Sequence, residues 1–450
     1  MRASRSLLLA ASVACATSIA LPAFAADESD LSGLRQEMKS LRDDYERKIQ
    51  ELEKRLKAAE DKATLAVPPS AESTMSAPVA QAEPPPPVPK ASAPVSANAF
   101  NPAVSVILNG AYGVSQRDPG TVGRAGFILE EEAGLQDRGF SLGESEISLS
   151  ANVDHAFFAN VVLAVGNDDS IGVEEGYIQT TDLPWGFTVK AGRFFSGIGY
   201  LNEKHAHAWE FSDAPLPYRA MLGNQYGDDG IQARWLAPTD LFLEFGAEWF
   251  RGDAFPAGGA DDNGAGTVSA FVRAGDDLDE ESSFLVSASY LRTKADNRDT
   301  DGDVFTGTDD LLIASLIYKW APNGNPVETN LSLSGEYFFG REEGTFNAVP
   351  VDYDRSGFYV QGVYQFMPRW RIGVRYSELQ TDGVPLALAG SALDDFGHTP
   401  QALTGLLEYR TSEFGRFRAQ YTLDDADVQS NNEFVFTYTV AIGAHGAHSF

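Results

Sequence analysis

Period-two alternation from residue 100 to the C-terminus predicts an all-β fold. The expected form is a 16-stranded antiparallel transmembrane β-barrel, preceded by a short α-helical coiled coil and a Pro-rich linker. Three observations carry this expectation. Oily and wet positions alternate in stretch after stretch, and the number of such stretches is even. Short turns also tend to alternate with longer, Asp/Gly-rich connections, the pattern of barrels that cross a membrane with strands. No segment has the roughly 20 unbroken apolar residues of a spanning helix.

The first element is a leader. Arg2 and Arg5 precede an apolar run from Leu7 to Leu21, and Ala23-Phe24-Ala25 follows as a small-x-small cleavage site. Residues 1–25 are therefore expected to be a secretory signal peptide. Its removal takes Cys15, the single cysteine, so no disulfide or thiolate chemistry is expected of the mature chain. The formal net charge of -30 argues against nucleic acid as a partner, since phosphate contacts need clustered Lys and Arg.

Residues 26–66 form the second element. Leu31, Leu34, Met38, Leu41, Tyr45, Ile49, Leu52, Leu56, Ala59 and Ala63 are spaced by threes and fours, a heptad seam with one stutter. The remaining positions are mostly Glu, Lys, Arg and Asp. One such helix has no core of its own, so self-association is expected. Residues 67–99 are rich in Pro, Ala and Ser without apolar period, an extended tether at ~3.1 Å per residue where polyproline-like.

The barrel occupies residues 100–450. In "NLSLSGEYFFG", Leu331, Leu333, Tyr337 and Phe339 alternate with Asn330, Ser332, Ser334 and Glu336. "WRIGVRYS" sets Trp370, Ile372, Val374 and Tyr376 against Arg371 and Arg375; "GRFRAQYTL" sets Phe417, Tyr421 and Leu423 against Arg416, Arg418 and Gln420. Strand parity then collects a basic wall on the wet faces: Lys190, Arg234, Arg273, Arg371, Arg375, Arg410, Arg416 and Arg418. Glu144, Glu146, Glu244, Glu248, Glu336 and Glu408 share those faces. Long connections are expected at 117–138, 196–227, 253–266, 297–309, 343–354 and 381–399. Within 297–308, "NRDTDGDVFTGT" imitates a calcium loop but ends in Thr308 where a bidentate Glu is needed.

The stretches "GFSLGESEISLSANVD", "VEEGYIQTTDLPWGFTVKAGRFFSGIGYLN" and "GNQYGDDGIQARWLAPTDLFLEFGAEWFRG" resemble the bacterial outer-membrane porins, in particular the group with phosphate-selective and porin-like members. The likeness is one of layout and texture over the whole barrel. It implies a passive diffusion channel in the cell outer membrane, a homotrimer, contact with outer-membrane lipid and lipopolysaccharide, and a periplasmic N-terminal segment. It also implies that Phe450, the terminal aromatic, is the signal for the barrel-assembly machinery, although His448 and Gly446 depart from that pattern. In porins the third external loop folds inward. On that analogy, loop 196–227 would bring Glu203, Lys204, His205, His207, Glu210, Asp213 and Arg219 to a pore constriction, where charged rings set ion preference.

His205 and His207 point the same way in an extended segment and are a candidate metal pair, with Glu203, Glu210 and Asp213 as local candidates to complete it. No cofactor is expected. G-x-S-x-G, H-E-x-x-H and phosphate-binding Gly loops are absent, so the chain is not expected to be an enzyme. A structural role, with the barrel anchoring a periplasmic coiled-coil tether, and a metal-responsive uptake channel using His205 and His207 are the competing expectations.

Overall fold

The computed structural model describes residues 102–130, 133–166, 170–259 and 265–443. The predicted signal peptide, coiled coil and linker, and the terminal Phe450, lie outside the described residues. What remains is one antiparallel sheet closed on itself. Its strands are β1 (Ala103–Ser115), β2 (Gly139–Leu142 and Ser145–Asn152, broken at residues 143 and 144), β3 (Phe157–Val165), β4 (Ile171–Thr180), β5 (Phe187–Phe195), β6 (Gly227–Leu236), β7 (Phe242–Phe250) and β8 (Thr267–Asp277). They continue as β9 (Ser282–Thr300), β10 (Asp303–Trp320), β11 (Asn330–Phe346), β12 (Val349–Met367), β13 (Trp370–Thr381), β14 (Gln401–Ser412), β15 (Gly415–Asp425) and β16 (Asn431–Gly443). Each strand pairs with its sequence neighbours, and β1 closes the ring on β16 from Ser105↔Gly443 to Ser115↔Glu433. The expected 16-stranded antiparallel barrel is the observed fold.

The alternation is inverted relative to a water-soluble protein. On β13, Trp370, Ile372 and Val374 face outward and are exposed, while Arg371 and Arg375 are buried inside. Aromatic residues crowd the outer rim near the short turns. Phe187 stacks on Trp235, Trp235 on Phe245, Phe417 on Tyr438, and Trp370 lies against Tyr409. Such a girdle suits the membrane–water boundary, where an apolar ring body and a polar edge are both accommodated. The described N- and C-terminal residues, 102 and 443, both lie at this turn end.

Two of the long connections expected from sequence are strands. β9 and β10 run 19 and 18 residues and meet at a two-residue turn, Asp301-Gly302, with φ of 54° and 90°. β11 and β12 meet at Asn347-Ala348, with φ of 48° and 65°. Positive φ at both central residues matches the twist of the flanking strands, the usual two-residue hairpin solution. Segments 297–309 and 343–354 are thus the ends of long hairpins, and the calcium-like run is an Asp-Gly turn with strand on either side. About 9–11 residues suffice to cross the membrane, so this side of the wall extends well past that span.

Among the irregularities in the wall, two β-bulges lie beside the inner loop. In β2, four residues from Leu142 to Glu146 advance against three from Gly110 to Ile107. Gly143 permits this, since a Cβ there would lie 2.8 Å from Asn109 Nδ2. In β4, Val162 pairs with Glu175 but Leu163 pairs with Val173, leaving Glu174 as the extra residue. A bulge turns adjacent side chains toward one face. Here it turns Ser145 with Glu146, and Glu174 with Glu175, toward the inside.

A charge placed on the outer face should be costly because no water reaches it. Val374→Arg is expected to lower the folding free energy by about 2–4 kcal/mol, measured by denaturant titration of folding into phospholipid vesicles.

Candidate functional site

Residues 196–226 connect β5 to β6 and lie inside the barrel; every one of them is buried or half-buried. The base of the loop is fastened by Asn202. Its Nδ2 donates to the carbonyls of Ser196 and Tyr226, 2.8 Å each, and its Oδ1 accepts from Tyr226 N at 2.8 Å. A short helix, Leu216–Leu222, is buried along its whole length and ends at Gly223 in the left-handed region, φ 61°. Its residues pack with Ile198, Leu201 and Tyr226 against Phe194, Phe250, Leu291, Leu311, Ile313, Phe338 and Leu379 of the wall. Each large side chain buried in this way contributes about 1.5–3 kcal/mol.

Three carboxylates of the wall organise the polar part. Glu248 accepts from the Ser196, Ser269 and Gln232 side chains and, at 2.8 Å, from Gly197 N. Glu336 accepts from Tyr200 N at 2.7 Å, Tyr218 Oη at 2.8 Å, Tyr359 Oη at 2.6 Å and Ser315 Oγ at 2.6 Å. Glu408, fully buried, faces four arginines: Arg371 at 3.1 Å, Arg410 at 2.7 Å, Arg418 at 3.0 Å and Arg416 at 3.9 Å. Charge-assisted hydrogen bonds of this kind are the strong ones.

The loop residues named from sequence divide among different walls. Glu203 pairs with Arg234 and, at 2.6 Å, with Arg273, both of which also approach Glu244. Glu210 meets Arg371 at 2.7 Å, and Asp213 meets Arg375 at 2.6 Å. Arg418 donates to the carbonyls of Trp209 and Phe211. Arg219 lies 3.7 Å from Asp213 and also donates to the carbonyls of Ala133 and Gly134, at 3.0 and 2.6 Å, in the connection after β1. Lys204 sets Nζ 3.3 Å from the Tyr200 ring centroid, and Lys190 sits over the Tyr177 and Phe194 rings. Burial and then repulsion from Lys319 bring the Lys204 ammonium down to about 7.

The basic wall therefore does not stand as a bare arc. Arg234, Arg273, Arg371, Arg375, Arg410, Arg416 and Arg418 face inward, each near a carboxylate or a loop carbonyl. Glu203, Glu210 and Asp213 are engaged by arginines, so they do not complete a site with the histidines. His205 and His207 face the bulged wall: His205 Nδ1 lies 3.2 Å from Glu174 and 3.3 Å from Glu146, His205 Nε2 3.1 Å from Glu175, and His207 Nδ1 2.6 Å from Glu146. The two rings stack with centroids 5.6 Å apart. Burial opposes charge on His205, but hydrogen bonds to Glu174 and Glu175 prevail and hold its pKa well above the ordinary range. Strict alternation could not place Glu174 and Glu175 on one face, and only the bulge makes them neighbours of His205.

No family model matches the chain. An uncharacterized protein of Aquifex aeolicus is 31% identical over 399 residues, 79% of this chain and 81% of that protein. Among solved structures, the anion-selective porin from Comamonas acidovorans superposes with a TM-score of 0.50 at 11% identity, covering 76% of this chain and 99% of that one. The trimer form of OmpT, an outer membrane protein of Vibrio cholerae, gives a TM-score of 0.48 at 12% identity over 76% and 99%. The Comamonas likeness is one of fold: both chains close an antiparallel β-barrel.

Acid should loosen the loop where arginines hold it. Burial would raise the Glu210 carboxyl, but Arg371 draws it from 4.5 down to about 2, and Arg375 with Arg219 likewise lowers Asp213. Carboxyls depressed in the folded state stabilise it fully above their ordinary range and lose that contribution as pH falls toward the folded value. Hydrogen-exchange protection of residues 209–214, corrected for intrinsic rate, is expected to fall between pH 4.5 and about 2. Arg371→Met should move that fall to higher pH.

Proposed function

The chain belongs to one family with the Aquifex aeolicus protein, and we propose that it is an outer-membrane porin, a passive diffusion channel for small hydrophilic solutes or ions. The observation that carries the proposal is a closed barrel with charged and polar side chains on its inner face and loop 196–226 laid across that interior. Lipid-facing aromatics and an inverted alternation support membrane insertion. With the short turns toward the periplasm, both described termini face that side, which suits a periplasmic coiled coil at 26–66 on a tether at 67–99. The long hairpins then extend outward to the lipopolysaccharide surface.

Solute would pass the contacts between the loop and the wall. Glu203, Glu210 and Asp213 on the loop, and Arg234, Arg273, Arg371 and Arg375 on the wall, would set ion preference there through their local field. The connections before and after the loop also fold inward. Phe127, Phe255 and Leu393 gather around Arg298, Glu342 and Arg355, so the path is narrower than sixteen strands alone would give. Self-association through the heptad seam would make the protein a homotrimer, and crosslinking with and without residues 26–66 tests that directly.

Planar-bilayer recording of the purified protein should give small stepwise conductances. Replacing residues 203–214 by a short Gly/Ser segment should raise the step several-fold while the barrel stays heat-modifiable on gels. A folded barrel silent in both forms would overturn the channel and favour a tethering role.

A further inference from the structure

Four carboxylates converge beside the His-Ala-His segment because two separate wall strands are bulged. Glu146 comes from β2, and Glu174 and Glu175 from β4, while the Glu144 carboxylate lies within 4.8 Å of those of Glu146 and Glu174. One ligand atom each from Glu146, His205 and His207 falls within 4.8 Å of the others. We propose that Glu146, His205 and His207, with Glu174 as fourth ligand, hold a divalent transition-metal ion of the zinc class between the loop and the barrel wall.

Three independent features of the geometry support this. First, the donor atoms already cluster: His207 Nδ1 and Glu146 Oε1 are 2.6 Å apart, a hydrogen bond that an ion would have to open, and His205 Nδ1 is 3.3 Å from Glu146 Oε2 and 3.2 Å from Glu174 Oε2. Ligands about 2.0–2.2 Å from a tetrahedral ion lie roughly 3.3 Å from one another, so small side-chain rotations suffice. Second, His205 already has an orienting partner. Its Nε2 faces Glu175 at 3.1 Å, the arrangement in which a carboxylate fixes the ring and leaves the other nitrogen for the metal. Third, the donor set of two imidazoles and carboxylates selects zinc, nickel or cobalt over calcium and magnesium.

The charge balance points the same way. Four carboxylates face two imidazoles, and a dication offsets the excess negative charge in a partly desolvated place. The site stays reachable, since the His205 side chain is 20% exposed and that of Glu174 10%. It joins the middle of the loop to β2 and β4, whereas the Glu408 arginines stand on β13, β14 and β15, and a bound ion would pin the loop there.

The test is equilibrium binding to the full-length, chelator-treated protein in detergent, read by the visible absorption of tetrahedral Co²⁺ and by calorimetry with Zn²⁺. One ion per chain is expected. His205→Ala and His207→Ala should each weaken binding at least roughly tenfold, as should Glu175→Gln, which takes the charge from the orienting partner and leaves the proposed ligands in place. His155→Ala, on an exposed turn, should leave binding unchanged. Heat-modifiable mobility on gels establishes that each variant is folded. Absence of a tetrahedral Co²⁺ spectrum, or affinity unchanged in the His205→Ala/His207→Ala double variant, would overturn the site. Neither readout depends on conductance, so the metal site and the channel stand or fall separately.

Discussion

Closure of the sheet is the constraint from which the rest follows. A strand facing hydrocarbon cannot leave its N–H and C=O groups unpaired, because no water is there to take them. The ladder between β1 and β16 removes the last open edge, and every strand is then bonded on both sides. Once closed, the wall has an oily face that must meet lipid and a second face that must hold everything polar. Ser, Gln, Glu and Arg side chains are thereby concentrated within a narrow interior, where each needs a partner.

Residues 196–226 supply many of those partners. Glu248 and Glu336 are buried carboxylates, and a buried charge is stable only when hydrogen-bonded from several sides. Each takes a backbone N–H from the loop, Gly197 to Glu248 and Tyr200 to Glu336. On β13 and β15 the polarity is reversed. Arg418 and Arg375 donate to carbonyls of Trp209, Phe211 and Asp213, and Glu408 holds the surrounding guanidinium groups in place. Between these two attachments the short helix buries its side chains on an apolar patch of the inner wall. The loop is thus a folded part of the interior, with a core of its own.

The repeating parts of this design were legible in the sequence. Period two identified the strands and put Arg371 with Arg375, and Arg416 with Arg418, on one face, because a regular ladder enforces alternation. Elements that break the period were not legible. A bulge adds one residue without a distinct composition, and strict alternation would put the neighbouring Glu174 and Glu175 on opposite faces. Asp301-Gly302 is an ordinary hairpin signal, but the acidic residues around it resembled ion ligands more than strand. The acids near His205 in sequence were the wrong partners for a related reason. Glu203, Glu210 and Asp213 lie opposite arginines, and a guanidinium fork competes strongly for a carboxylate. The partners of the histidines came instead from strands far away in the chain.

The loop's attachments also differ in what they ask of the surroundings. At its base, Asn202 and the Glu248 and Glu336 contacts are complete within the protein, and so are the arginine contacts of Glu210 and Asp213. The contact between them, at His205 and His207, is rich in acceptors and faces a wall already bulged out of register. Two fixed ends leave only a few residues free to respond there. An ion held at the proposed site would therefore act on the middle of the loop and on β2 and β4, between the helix and arginine contacts on one side and the base on the other. Such confinement is what a packed interior imposes, since packed contacts switch between discrete arrangements and do not deform continuously.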